Sequence, residues 1–327
     1  MKAGYYEQYG AAADVLRIGD LPDPEPGPGE VRVRVRFSGI NPSDCNRRRG
    51  VRDRPGYPLI VPHSDGAGVI DRVGTGVDPA RIGERVWLWN AQRHRAFGSA
   101  SELVALPSAQ AVRLPDDVSL EAGACLGVPA LTAYYSLFAD GDLQDLDVLV
   151  TGGAGAVGHY AVQFARLAGA RTVVATVSGA AKAAHVRPLR PDAIVNYRSE
   201  DVAKRALVMT AGRGVDRISE VDFGGNLAVT MKVIRDGAAI GAYASHGNPA
   251  PVLPFYPLLF KDVTVRFLQC YAMPARLRAE GIAAVTRWAG VGMLHHAVGR
   301  VFPLDRIVDA HEAVEAGDVI GSVLVEI

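Results

Sequence analysis

The chain has 327 residues, with 35 basic against 35 acidic side chains and a formal charge of zero at pH 7. That length allows two domains and a substantial buried core. The neutral balance excludes the long-range attraction that nucleic acid or an anionic membrane requires, since that needs a clustered positive excess. The only dense basic spot, Arg47-Arg48-Arg49, reads as a solvated face or a local anion contact.

The opening MKAGYYEQYG lacks the apolar stretch of a signal peptide, and no window approaches the ~18 uninterrupted apolar residues of a membrane span. A soluble, cytoplasmic protein is expected. Cys45, Cys125 and Cys270 are odd in number and far apart, so no disulfide framework or C-x-x-C pair is available. They read as buried or semi-buried thiols.

From residue 1 to about 120 short strands are broken by Gly and Pro. Val31 to Phe37 alternates apolar residues with Arg, Pro22 to Glu30 (PDPEPGPGE) is a loop, and Gly66 to Val73 is a second strand. This part reads as a compact β-rich domain. From about 121 strands alternate with helical patterns: Val148 to Thr151, Thr172 to Val177, Ala193 to Asn196, Arg217 to Val221, Ala238 to Tyr243 and Val263 to Leu268. Such alternation means a parallel sheet with helices on both faces. A helix near Leu304 to Glu315 and a terminal strand, Ser322 to Ile327, are expected to return to the first domain.

The most informative stretch is VLVTGGAGAVGHYAVQFARLAGA, Val148 to Ala170. An apolar strand runs into a glycine turn and then into an amphipathic helix that Gly169 closes. Gly153, Gly155 and Gly158 fit G-x-G-x-x-G, in which the glycines permit the turn, the approach of backbone to a pyrophosphate and the packing of helix on strand. The helix N-terminus offers free N–H groups and positive dipole to the anion. A dinucleotide site follows, and which dinucleotide can be argued from what is missing. An NAD site carries Asp or Glu about 20 residues on, at the end of the second strand, to bind the ribose 2′-hydroxyl. No acid occurs between Gly158 and Asp192 here; Ser178 follows the strand, Lys182 lies one turn later, and Arg187 and Arg190 lie beyond. A hydroxyl and an ammonium suit a 2′-phosphate, so NADPH is favoured over NADH.

Further motifs stand in a fixed order: SGINPSD (Ser38 to Asp44), PHSDGAGVI (Pro62 to Ile70), IGERVW (Ile82 to Trp87), PALTAYY (Pro129 to Tyr135), VNYRSED (Val195 to Asp201) and IGSVLVEI (Ile320 to Ile327). With these the chain resembles the medium-chain dehydrogenase/reductase superfamily over essentially its whole length, and more finely its zinc-free quinone oxidoreductase branch, the zeta-crystallin-like proteins. The resemblance implies an α/β protein with a GroES-like catalytic domain, residues 1–121 and 266–327, and a Rossmann NADPH-binding domain with a doubly wound parallel sheet, residues 122–265. Zinc alcohol dehydrogenases of the superfamily place a cysteine where this chain has Asn41, a histidine where it has Ser64 and a further cysteine near Val128. None of these supplies the ligands of a catalytic zinc, though His63 lies one residue from a ligand position.

Without a Lewis acid, hydride transfer suits an acceptor that already delocalises charge, such as a quinone, enone or alkenal. By resemblance, Asn41 and Thr132 would be catalytic and would also touch the nicotinamide end of the cofactor. Gly153, Ala154, Gly155, Ala156, Val157 and Gly158 would cradle the pyrophosphate. Ser178, Lys182 and Tyr197 would surround the 2′-phosphate, and Tyr243, Phe267 and Leu268 would line the nicotinamide. Two positions depart from the family. Asn46 stands where many quinone reductases carry a tyrosine, and Arg52 where the related enoyl-thioester reductases carry theirs, leaving Tyr57, water or the cofactor ribose as proton sources. Arg52 reads as a surface arginine or an oxyanion partner, and His94 as a solvated loop residue or a border of the substrate cleft.

The expected activity is that of an NADPH-dependent quinone or α,β-unsaturated carbonyl reductase, with an enoyl-thioester reductase and a non-catalytic NADPH-binding redox sensor as rivals. Strand Val263 to Leu268 would leave a β-branched sheet edge open, which with the resemblance implies a homodimer.

Overall fold

In the computed structural model of the chain, which describes residues 1–51, 54 and 56–327, two compact units are present. The first comprises residues 1–129 with 282–327, the second residues 130–281.

The first unit is built on a seven-stranded sheet. Its longest strand, Glu30–Ile40, pairs antiparallel with Asp65–Val73, Leu103–Pro107 and the terminal strand Ser322–Glu326. Alternation of Val with Arg along Glu30–Ile40 buries Val31, Val33 and Val35 against Ile70, Val86 and Leu106. Arg32 is also buried, because Asp71 accepts from its guanidinium at 2.9 and 3.0 Å. A second core joins Tyr6, Ile40, Cys45 and Ile60 to Leu304, Ile307 and Val325, so the C-terminal segment is part of this unit.

The second unit carries six parallel strands in the order Ala193–Asn196, Thr172–Val177, Asp147–Val150, Val215–Glu220, Ile234–Ala242, Thr264–Phe267. The strand order therefore reverses between Asp147–Val150 and Val215–Glu220, the place where open α/β sheets form a ligand crevice at their carboxyl ends. The central strands are buried on both faces, which is why they read as continuous apolar runs. The strand expected from Ala238 begins at Ile234 instead, passing through Gly237 at φ +72°. Arg235-Asp236-Gly237 looks like a turn, but pairing of Ile234 with Val215, followed by a register shift, carries the strand through it. Helix Leu131–Phe138 lies so close to the sheet that a Cβ on Gly241 would sit 2.3 Å from the Ser136 carbonyl oxygen. Among the described residues no helix is long and apolar enough to cross a membrane.

Candidate active site

In the second unit, Asp147–Val150 ends in the turn Thr151 to Gly155 and helix Ala156–Leu167 follows. Backbone of the neighbouring strand pins the turn: Gly153 N–H donates to the Thr176 carbonyl at 2.8 Å and Gly152 N–H to Thr176 Oγ1 at 3.0 Å. The left-handed residue is Gly152, at φ +67°, one position before the three motif glycines. The tight turn thus belongs to Gly152, a role the spacing assigns to Gly153. A Cβ on Gly158 would lie 2.2 Å from the Gly152 carbonyl oxygen, so only glycine lets the helix come this close. Gly155 is exposed and extended, and a Cβ there would meet only the Gly152 oxygen, at 3.4 Å. Among the described residues no side chain caps this helix, which leaves the first-turn N–H groups of Ala156, Val157 and Gly158 for an anion. Gly169 closes the helix at φ +77°, with Ala170 N–H returning to the Ala165 carbonyl.

At the crevice between the two central strands, Thr151 and Glu220 lock the turn in place. Thr151 Oγ1 donates to Glu220 Oε1 at 2.8 Å and accepts from Val221 N–H at 2.9 Å. The same carboxylate oxygen accepts from Asp222 N–H and from Asn226 Nδ2. Glu220 is fully buried, and burial pushes its carboxyl above the usual range against those hydrogen bonds. Neither this residue nor the pair formed by His159 and His185, 3.2 Å apart on helices Ala156–Leu167 and Ala180–Val186, was foreseen from the sequence.

Ser178 follows the second strand, half-buried, and Tyr197 N–H donates to the adjacent Val177 carbonyl at 3.0 Å. Ser178 and Tyr197 are therefore brought to one corner, with the Tyr197 ring about half exposed at 52%. Lys182 lies on the following helix, half-buried and without an ion pair to another described residue. Tyr243, Phe267 and Leu268 line one cavity of about 360 Å³, together with Phe223, Ala242 and Pro251. The Tyr243 hydroxyl is buried, and burial together with the nearby Glu220 raises its pKa against the effect of Ser219. Thr132 is buried near the start of helix Leu131–Phe138.

Asn41 belongs to the first unit, where it caps helix Pro42–Arg48. Asp44 Oδ2 accepts from its backbone N–H at 2.8 Å, and its side-chain Nδ2 donates to Asp65 Oδ2 at 2.7 Å. The other Asp65 oxygen accepts from Val128 N–H at 2.8 Å. Asp65 thus ties together two of the three positions at which zinc dehydrogenases would present ligands. Burial holds the Asp65 carboxyl well above the usual range and raises Asp44 to about 6. Nothing in the sequence marked either acid as part of this arrangement. Beside it runs a buried chain: Ser99 to Ser38 at 2.9 Å, Ser38 to His63 Nδ1 at 2.8 Å and His63 Nε2 to His311 Nε2 at 2.9 Å. His63 is committed to these partners at φ +77°, with desolvation lowering its pKa to about 3.

Arg47 and Arg48 do not form a solvated face. Both are buried, Arg48 donating to the Gly10 carbonyl at 2.8 Å and pairing with Glu315, Arg47 donating to Gln92. Tyr57, unplaced by sequence, and His94, expected in a loop, line one cavity of about 330 Å³ with Arg47 and Gln92. Asn46 lies half-buried on helix Pro42–Arg48. Arg52 lies outside the described residues.

Residues 27–116 match the alcohol dehydrogenase GroES-like domain family and residues 156–286 the zinc-binding dehydrogenase family. A chloroplastic quinone-oxidoreductase homolog of Spinacia oleracea is 31% identical over 227 residues, 67% of each chain. A 2-haloacrylate reductase of a Burkholderia species is 29% identical over 300 residues, 88% of this chain and 87% of that protein. The mycobacterial protein Rv1454c, solved in complex with NADPH, superposes with a TM-score of 0.87 at 25% identity, with all of both chains covered. The chain belongs to the medium-chain dehydrogenase/reductase superfamily, among its quinone oxidoreductase-like members. It is an oxidoreductase of that type, with a GroES-like domain and a Rossmann-like parallel-sheet domain.

Proposed function

We propose that the protein is an NADPH-dependent, zinc-free reductase that passes a hydride to a quinone or an α,β-unsaturated carbonyl compound. The observation that carries this reading is the end of strand Thr172–Val177, where Ser178, Lys182 and the neighbouring Tyr197 stand in place of the carboxylate that an NAD ribose requires. NADPH binding by the structural relative Rv1454c supports it.

In this reading the backbone from Gly153 to Gly158 binds the pyrophosphate, and Ser178, Lys182 and Tyr197 hold the 2′-phosphate. The cavity lined by Tyr243, Phe267 and Leu268 takes the nicotinamide end, and Asn41 and Thr132 orient nicotinamide and acceptor. NADPH, when bound, supplies the hydride. A zinc does not fit the residues of this chain. Asn41 presents an amide held by Asp65, Ser64 a buried hydroxyl, and Val128 an alkyl side chain, so none of the three positions supplies a thiolate or an imidazole. Among the described residues no group of three His, Cys, Asp or Glu is placed to hold a metal ion.

The sheet edge Thr264–Phe267 supports a homodimer, because its backbone is open on one side and exposed Phe255, Phe260 and Phe267 lie on the same unit. Sedimentation at the monomer mass would remove that element of the proposal. The activity is tested by NADPH and NADH oxidation with the metal-stripped protein and 1,4-benzoquinone, 9,10-phenanthrenequinone, an alkenal and crotonyl-CoA. Chelator-insensitive turnover of a quinone or alkenal with NADPH is expected. Tight NADPH binding with no turnover of any acceptor would point to a sensor, and turnover of crotonyl-CoA alone to an enoyl-thioester reductase.

A further inference from the structure

A chain of zero net charge concentrates cations in two short segments of its first unit. Residues 47–57 and 92–95 together contain seven arginines and a single acid, Asp53, and of the seven Arg48 pairs with Glu315 outside these segments. Among the described residues, Arg47, Arg54 and Arg93 line one cavity with His94, Tyr57 and Gln92, and no carboxylate lines it. Its volume is about 330 Å³, room for a small organic molecule.

The cavity is held in shape by its own backbone. Ala91 N–H donates to the Ser64 carbonyl at 2.9 Å, Val61 N–H to the Ala96 carbonyl at 2.9 Å and Gly98 N–H to the Val61 carbonyl at 2.8 Å. Between these anchors His94 takes the left-handed region at φ +58°, as does Asn90 just before them at φ +51°, a conformation uncommon for non-glycine residues. Arg47 is buried at the inner wall, its guanidinium positioned by Gln92, whose Nε2 donates to the Arg95 carbonyl at 3.1 Å. Arg54 lies on the exposed lip, its Nε on the Gly50 carbonyl at 3.1 Å and its guanidinium over the Tyr9 ring at 5.6 Å. Asn41 caps the helix that carries Arg47, and six residues at 1.5 Å rise set the two about 9 Å apart along it.

We propose that this cavity is an anion subsite and that the acceptor carries a carboxylate: a small α,β-unsaturated acid or an enone bearing an acid group. The proposal rests on the reductase reading given above and names its substrate class. Planar guanidinium groups recognise a carboxylate through paired charge-assisted hydrogen bonds, which fix orientation as well as position. The chemistry also gains from them. Hydride from NADPH forms a C–H bond at the carbon β to the carbonyl, the C=C π pair moves toward the carbonyl oxygen, and a proton from solvent completes the α-carbon. NADPH and H⁺ become NADP⁺, and the alkene becomes the saturated compound. An acceptor already carrying a carboxylate gains a second negative charge at the enolate stage, and nearby cations lower the cost of that charge.

The test compares kcat/KM for 4-oxopent-2-enoate and for its methyl ester, in the wild type and in R54M and R93M. The wild type is expected to prefer the acid by about 10- to 100-fold, and each variant to bring that ratio toward one, with R54K and R93K restoring part of it. Calorimetric titration with the saturated acid, 4-oxopentanoate, reads the subsite without turnover, and R54M, on the exposed lip, guards against a folding defect in R93M. Equal or better use of the ester, or no binding of 4-oxopentanoate by the wild type, overturns the subsite; turnover of 1,4-benzoquinone then leaves the reductase reading standing. Crotonyl-CoA as the best acceptor, lowered by R54M, would give the cations to a phosphate and likewise overturn the carboxylate. Silence with every acceptor while 4-oxopentanoate binds and R54M abolishes that binding would keep the subsite and remove the reductase.

Discussion

The Asn41 side-chain amide donates to Asp65 at 2.7 Å, and through the second oxygen of that carboxylate the strand Asp65–Val73 also holds Val128, at 2.8 Å. One buried acid thus sets the orientation of the residue proposed to face the nicotinamide. Replacing Asp65 with Ala leaves two buried donors unsatisfied, at about 1–3 kcal/mol each. D65A is therefore expected to lose roughly 2–6 kcal/mol of unfolding free energy in urea. A loss below about 1 kcal/mol would mean that Asn41 is held by something else.

Asp44 should make stability fall as pH rises. Its carboxyl is raised to about 6, chiefly by burial, with the Asn41 N–H and Arg47 acting against the shift. A group whose folded pKa exceeds its unfolded value binds more protons when folded, so its stabilising effect is complete below pH ~4 and is lost as pH climbs through 6. At one pKa unit per 1.36 kcal/mol, the loss is about 3 kcal/mol. In D44N, which can still accept from the Asn41 N–H, the unfolding free energy at pH 7 minus that at pH 4 should be less negative than in the wild type by about that amount. Parallel pH profiles for the two proteins would assign the titration elsewhere.

Two motif glycines should fail in different ways. G158A puts a methyl 2.2 Å from the Gly152 carbonyl oxygen and 2.9 Å from Gly153 Cα, so backbone must move and about 1–3 kcal/mol of stability should go with it. G155A meets nothing nearer than 3.4 Å among the described residues, so its melting temperature should hold while NADPH affinity drops, because the methyl occupies the approach to the phosphate. Melting curves and fluorescence titrations on both variants separate the roles. Equal melting losses in the two would contradict them.

What was legible in the sequence follows from how local the cause is. Strand Thr172–Val177 and the close of the phosphate helix at Gly169 lie where the residues put them, because a β-branched run and a left-handed glycine act within a few positions. The first residues of strand Ile234–Ala242 do not look extended in the sequence, since they owe their extension to pairing with Val215 and not to their own turn-like composition. Burial of Arg47 and Arg48 was hidden for the same reason, as their partners are Gln92, Gly10 and Glu315, remote in the chain. Asp65 was visible inside PHSDGAGVI, but its grip on Asn41 and Val128 depends on strand pairing that no spacing reveals.

The Ser178–Lys182 corner makes the cofactor preference switchable. Lys182 makes no ion pair with another described residue, so removing it frees no buried carboxylate and should cost the fold little. K182A should weaken NADPH binding by about 10-fold, the scale of one charge-assisted contact to phosphate at a half-exposed site, while NADH binding stays within about 2-fold. Ser178→Asp goes further, because a carboxylate at the end of strand Thr172–Val177 repels the 2′-phosphate and can accept from the 2′-hydroxyl of NADH. The ratio of NADPH to NADH dissociation constants should therefore rise in K182A and invert in Ser178→Asp. If the ratio is unmoved in both, the 2′-phosphate is held elsewhere, and the assignment of Ser178, Lys182 and Tyr197 falls with it.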